Sequence, residues 1–178
     1  LSEDEKEDEK DYIVLDEIPF WSNGRGFTNK KRNRLYIYNV EEKKLTPITD
    51  EFTNVGSFKL NQDKTKIILI SSSYIDKMQI KSDLYIYHIP ENNLEKITHD
   101  DPFNYSYADF LEDQIIFTGS HMTNYGINEN DYIYIIDNEG NTKVISPKDF
   151  DYSLWNSVGA DIRYGGSSSI KVDGEYLY

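Results

Sequence analysis

The 178-residue chain carries 32 Asp and Glu against 19 Lys and Arg, a net charge of −13, and has no cysteine. The acidic balance argues against nucleic acid as a partner, because phosphate contacts rest on clustered Lys and Arg. The missing thiols exclude disulfides, thiolate metal sites and a cysteine nucleophile, and fit a cytoplasmic protein. Hydrophobic residues at 38% and aromatics at 14% supply a folded core, with no apolar run approaching the roughly 20 residues of a membrane span.

Residues 2–11 are acidic apart from Ser2, Lys6 and Lys10. Like charges repel and nothing apolar is there to bury, so a mobile segment over 1–11 ahead of one folded domain over 12–178 is expected. Ile18-Pro19-Phe20-Trp21-Ser22-Asn23-Gly24-Arg25-Gly26-Phe27 then sets two glycines and an asparagine beside large aromatics. The glycines permit positive φ, and Trp21 and Phe27 are expected to pack beneath a neighbouring sheet. Trp21, Asn23, Gly24 and Gly26 therefore read as a structural motif. The one basic cluster, Lys30-Lys31-Arg32-Asn33-Arg34, is expected to solvate the entrance of the next strand.

An internal repeat follows. Leu35-Tyr36-Ile37-Tyr38 leads to Ile48-Thr49, Leu84-Tyr85-Ile86-Tyr87 to Ile97-Thr98, and Tyr132-Ile133-Tyr134-Ile135 to Ile145-Ser146, with starts 49 and 48 residues apart (35 to 84, 84 to 132). A period of roughly 40 to 50 residues built of strands is that of a β-propeller blade. Each repeat predicts a hairpin with a polar turn (41–44, 90–93 and 137–141). A second hairpin joins 55–60 to 66–71 and 106–111 to 115–119, through Asn61-Gln62-Asp63-Lys64 and Glu112-Asp113. The Tyr/Ile strands are apolar on both faces, as a sheet sandwiched between two others requires.

The third repeat is longer. From the Tyr/Ile strand to the Asp of the following turn is 28 residues (35 to 63), then 29 (84 to 113), then 41 (132 to 173, in Val172-Asp173-Gly174). The extra residues fall at 151–166 and include Trp155, Asp161, Arg163 and Tyr164. Insertions in repeat folds go to loops on one face, often a binding face, so these four are candidate substrate or interdomain contacts. Alternatively, Trp155 and Tyr164 fill a gap between blades. Since 174–178 end within a strand and ring closure takes at least four blades, two complete four-stranded blades with partial blades on either side are expected, a propeller truncated at both ends.

Catalytic chemistry is sparse. Gly119-Ser120-His121 and Gly165-Gly166-Ser167-Ser168-Ser169 both lack the second glycine of a Gly-x-Ser-x-Gly elbow. His88, His99 and His121 are scattered without metal-ligand spacing, and His99-Asp100-Asp101-Pro102 reads as an acidic turn before proline. Gly24-Arg25-Gly26 has no strand-to-helix setting for a phosphate loop. No catalytic residue, metal site or cofactor follows from the residues.

With its aromatic-x-x-Gly-x-Gly stretch at 20–26, its strand at 35–40 and the segment closing in Ile48-Thr49, the sequence resembles the N-terminal propeller domain of prolyl oligopeptidase-family serine peptidases. The acylaminoacyl-peptidase and dipeptidyl-peptidase-like branch is the nearest in pattern. Asn61-Gln62-Asp63-Lys64 looks like a degraded form of the family's Ser-Pro-Asp-Gly turn, Val172-Asp173-Gly174 like a partly kept one, and 159–163 like a stretch preceding a blade. The resemblance implies a lid and substrate-size filter over an α/β-hydrolase domain that bears the Ser/Asp/His triad, with peptide substrate reached through that domain. No triad residue can be placed on this chain. A free-standing TolB-like propeller acting as a protein-binding scaffold and a cell-surface repeat module remain as alternatives. Apolar blade faces left uncovered by a neighbour lead us to expect self-association of the isolated chain.

Overall fold

The structure, a computed structural model, describes residues 12–97, 103–154 and 170–178. The acidic run over 2–11, the His99 turn and the candidate contacts Trp155, Asp161, Arg163 and Tyr164 lie outside the described residues. The architecture is all β and is part of a β-propeller. Strands β1 (Trp21–Ser22) and β2 (Gly26–Phe27) form a small hairpin, and β3 (Tyr36–Asn39) and β4 (Lys44–Pro47) a second. A four-stranded antiparallel sheet follows, in sequence order, from β5 (Thr53–Leu60), β6 (Lys66–Ser73), β7 (Asp83–His88) and β8 (Asn93–Lys96). The next sheet has β9 (Asn104–Leu111), β10 (Gln114–Ser120), β11 (Tyr132–Ile136) and β12 (Thr142–Val144), and β13 (Val172–Asp173) pairs with β14 (Tyr176–Leu177). The only helical turn among the described residues is a single 3₁₀ turn at Gly126–Asn128, and no described helix is long and apolar enough to cross a membrane.

Strand alternation decides which residues face which neighbour. In β6, Ile67 and Leu69 join Val55 and Tyr87 in a core shared with Leu35, Ile37 and Ile48 of the preceding hairpin. Ile68 and Ile70, one residue out of phase, join Leu84 in a core shared with Phe103, Tyr105, Phe117 and Tyr134 of the following sheet. Within the Tyr/Ile strand β7, Leu84 and Ile86 thus face forward and Tyr85 and Tyr87 backward. Phe117 and Tyr134 stack at 4.9 Å between centroids, and Phe103 meets both rings edge-on. The equivalent tyrosines are Tyr38, Tyr87 and Tyr134, spaced 49 and 47 residues (38 to 87, 87 to 134). This corrects the sequence alignment of the third repeat by one position. In a strand a single-residue offset exchanges the two faces, so Asp131, not Tyr132, takes the place of Leu84.

The deepest burial falls on β6 and β10, which run inside their sheets with both faces covered, whereas β3 has only one sheet neighbour and is largely exposed. The first strands converge: β5 and β9 pack on one another and β13 on β9. The first strands of the two four-stranded sheets each carry a bulge, at Gly56 in β5 and at Ser106 in β9, where the pairing register skips one residue. Bulges increase local twist, which lets the first strands turn towards a common hub. Opposite the second bulge lies Gly119, where a Cβ would sit 2.7 Å from the carbonyl oxygen of Asn104. That glycine serves close strand approach, not a nucleophile elbow.

Turn chemistry is local. The Asn61 side-chain oxygen accepts the backbone N–H groups of Thr65 and Lys66 (3.0 and 2.8 Å), and Asp137 does the same for Glu139 and Asn141 (3.0 and 2.9 Å). Such Asx turns replace the backbone partners that a reversing chain loses.

Two expectations test this packing in the 178-residue chain. Although they occupy equivalent places, Tyr87→Ala and Tyr134→Ala each cost about 3–5 kcal/mol, as for large buried aromatics, whereas Tyr38→Ala, at a residue 55% exposed, costs under about 1 kcal/mol. Urea melts of the three variants decide it, and equal losses would contradict the face assignment. Gly119→Ala, forced against a backbone carbonyl, lowers stability by about 1–3 kcal/mol, while Gly56→Ala, whose nearest contact is an ordinary 3.5 Å, lowers it by less.

Candidate functional site

Two places bring functional groups together. The first is the hub. The turns that follow the first strands of three successive units, with Lys59 and Asn61 from β5 onward, Asp109 and Glu112 from β9, and Asp173 from β13, surround a cavity of about 580 Å³. Its wall is formed by the ends of the first strands β5 and β9 and by β13. The Tyr107 hydroxyl donates to Asp109 Oδ2 at 2.7 Å, and Asp109 Oδ1 accepts the Phe110 N–H at 2.9 Å. Burial first, and then the Asp109 carboxylate, push the Tyr107 phenol far above its ordinary value. The Lys59 ammonium lies 5.8 Å from the Tyr107 ring centre. Among the named groups three carboxylates face one ammonium, so the opening is acidic.

The second place is the N-terminal hairpin. Trp21 pairs with Phe27 and Ser22 with Gly26 across β1 and β2. Asn23, Gly24 and Arg25 form the loop, with φ of 78° at Gly24 and 71° at Gly26, the left-handed region open to glycine. Trp21 and Phe27 do not pack beneath a sheet as expected. Both remain about half exposed, because the hairpin pairs with no other described strand and lies against the loop after β6. Ile18 bridges Lys77 there, accepting the Met78 N–H and donating to the Asp76 carbonyl, both at 2.8 Å.

A buried ion pair fastens this segment. Arg32 Nη1 and Nη2 meet Glu17 Oε1 and Oε2 at 2.9 and 2.7 Å, with side chains 4% and 1% exposed. The same guanidinium donates to the carbonyls of Phe52 and Tyr74 (3.2 and 3.0 Å) and stacks 3.8 Å over the Tyr74 ring. Hydrogen bonds from Arg32 hold the Glu17 carboxyl below its ordinary value. The basic cluster therefore does not simply solvate a strand entrance. Arg32 is interior, and Arg34 donates to the Thr49 carbonyl at 2.6 Å, whereas Lys30 and Lys31 are exposed. Glu17 and Arg32 were not singled out in the sequence, since their 15-residue separation fits no strand or helix period.

Of the sequence-selected residues, the structure gathers Trp21, Asn23, Gly24 and Gly26 into one hairpin. Trp155, Asp161, Arg163 and Tyr164 lie outside the described residues. His88 lies 3.6 Å from Glu95 at the surface, and the His121 ring lies tilted against Phe103 with centroids 3.9 Å apart. Among the described residues no three of His, Asp and Glu converge as metal ligands would.

No family model and no curated protein sequence matches the chain. Among solved structures, acylaminoacyl peptidase from Pyrococcus horikoshii superposes with a TM-score of 0.51 at 20% identity, covering 76% of this chain and 21% of that one. A structure assigned as a gluconolactonase reaches a TM-score of 0.39 at 15% identity, over 66% of this chain and 42% of that one, and supports no argument. The shared feature with the peptidase is the fold, a propeller-type β architecture. This chain spans about a fifth of the peptidase's length.

The buried pair sets an acid limit. Because the Glu17 carboxyl is lowered in the folded state, its stabilisation is fully present above the unfolded value near 4.5 and is lost as pH falls through the lower folded value. Glu17→Ala is expected to cost about 3–5 kcal/mol at pH 7 by stranding Arg32, and the difference from wild type should shrink below about pH 4.5. Thermal melts from pH 3 to pH 7 measure both. A difference that does not change with pH would show that Glu17 acts by packing alone.

Proposed function

We propose that the chain is the non-catalytic propeller portion of a serine peptidase of the acylaminoacyl or oligopeptidase type, serving as lid and substrate-size filter over an α/β-hydrolase domain carried elsewhere in the polypeptide, in the cytoplasm. The fold likeness to acylaminoacyl peptidase over 76% of the chain carries this reading, and the glycine-aromatic motif at 20–26 supports it independently. The hub suits a filter. Its opening is bounded by first strands whose sheets bury Ile68, Leu84 and Phe117 almost completely, so widening it breaks contacts worth several kcal/mol for each large side chain. A short flexible peptide passes such an opening without deforming it, and a folded protein does not.

Hydrolysis itself falls to the other domain. In the Ser/Asp/His triad of the proposed family, histidine takes the serine proton as general base while the oxygen attacks the carbonyl. On this chain's side the work is positional: excluding bulky substrates and directing short ones, with Lys59, Asp109, Glu112 and Asp173 meeting them first.

The purified full-length polypeptide is expected to cleave acyl-amino-acid and short peptide nitroanilides and to spare folded proteins. Gln62→Trp and Glu112→Trp, which narrow the hub opening, should lower kcat/KM for a ten-residue peptide by at least about tenfold relative to a dipeptide substrate. An equal effect on both lengths would remove the filter role. No turnover by the full-length polypeptide would instead favour the protein-binding scaffold.

A further inference from the structure

Beneath the β1–β2 hairpin lies a pocket of about 330 Å³ that the filter reading does not use. Arg25 reaches it from the hairpin loop, Lys31 and Asn33 from the approach to β3, and Asn54 from β5. Phe27 and Met78 supply apolar wall, and Tyr74 lies beside the buried Arg32. No Asp or Glu lines the pocket.

The distribution of charge is the unusual feature. In a chain where acids outnumber bases by 32 to 19, neighbouring cations are already engaged: Arg32 by Glu17, Lys30 by Asp16, and Arg34 by the Thr49 carbonyl. Both Glu17 oxygens are taken up by Arg32, and Oε1 also accepts the Lys30 N–H. Arg25 and Lys31 have no carboxylate partner among the described residues, and both residues line this pocket. Asn54 accepts the Asn33 N–H through Oδ1 at 3.0 Å, which leaves its amide NH₂ as a further donor. Two uncompensated cations and an amide donor facing apolar wall match one carboxylate carried on an apolar body. Arg binds such a group through paired charge-assisted hydrogen bonds. The volume lies at the small end of ligand pockets, enough for a molecule about one amino-acid residue in size.

We infer that this pocket binds a small apolar monocarboxylic acid, held by Arg25 and Lys31 at the carboxylate and by Phe27 and Met78 along its body. The site depends on neither a hydrolase domain nor the hub, so its fate is independent of the filter role. Arg32 is a positioning residue here: with its donors occupied by Glu17 and backbone carbonyls, it fixes the pocket floor and leaves recognition to the two free cations.

The test uses the chain with N-acetyl-phenylalanine as probe. Trp21 reports through its fluorescence, because it pairs with Phe27 across the hairpin; Trp155→Phe removes the other indole, and calorimetry gives a second readout. The acid should bind saturably, its neutral amide at least about tenfold more weakly, and Arg25→Gln and Lys31→Gln should each weaken the acid about tenfold at unchanged melting temperature. Affinity should also fall as salt rises. Equal binding of acid and amide, no saturable binding of the acid, or unaltered affinity in both variants would overturn the assignment. Tighter binding of inorganic phosphate than of the acid would overturn it too, in favour of a phosphate site.

Discussion

Everything in this chain depends on strands that are buried on both faces. A sheet with one solvated face can alternate apolar and polar residues, but β6 and β10 lie between neighbours and carry apolar residues on successive positions. Ile67 and Leu69 look back to Leu35 and Ile37, while Ile68 and Ile70 look forward to Phe117 and Tyr134. Adjacent residues thus belong to different cores. The consequence is a linear assembly in which each sheet is stabilised by its two neighbours and contributes little alone. Stacking also fixes where the chain can be varied: the first strands are held at the hub, and the turns that end them are free to carry Lys59, Asp109 and Asp173.

The Glu17–Arg32 pair acts on a different level. Burying two charges is costly, and the pair is stable because the guanidinium also finds the Phe52 and Tyr74 carbonyls and the Tyr74 ring. It ties three parts of the chain that share no sheet: the segment before β1, the approach to β3, and the loop after β6. Neutralising Arg32 internally also separates structural from available charge. Among the described residues, Arg25 and Lys31 at the edge of a cavity have no carboxylate partner, in an otherwise strongly acidic molecule.

Fold and function are separable here. Propellers lend rigid loops to many activities, and function belongs to the groups that those loops present. Hub and hairpin pocket are chemically opposite: the hub opening gathers carboxylates around a single lysine, and the pocket gathers cations with no carboxylate. Acidic groups on one loop set and basic groups on another favour ligands of opposite charge.

Much of the fold was legible along the chain. The repeated Tyr/Ile strands, the polar turns and the four-stranded grouping all follow from period-2 patterning and turn residues, which are local properties. Gly24 and Gly26 likewise declared their positive φ, which only glycine adopts freely. The sequence by itself determined the blade architecture and the absence of a recognisable catalytic motif. It misplaced the third repeat by one residue, because Tyr132-Ile133-Tyr134-Ile135 alternates the same two residue types and either register looks alike until a neighbouring sheet selects a face. It also treated Arg32 as solvated and Trp21 as buried, and the structure reverses both. Burial of a charge depends on a partner distant in sequence, Glu17, and exposure of an indole depends on which loop its hairpin meets. Tertiary structure alone decided those points, together with the hub cavity and the pairing of Arg25 with Lys31 around one pocket, because each is a relation between segments that local pattern does not encode.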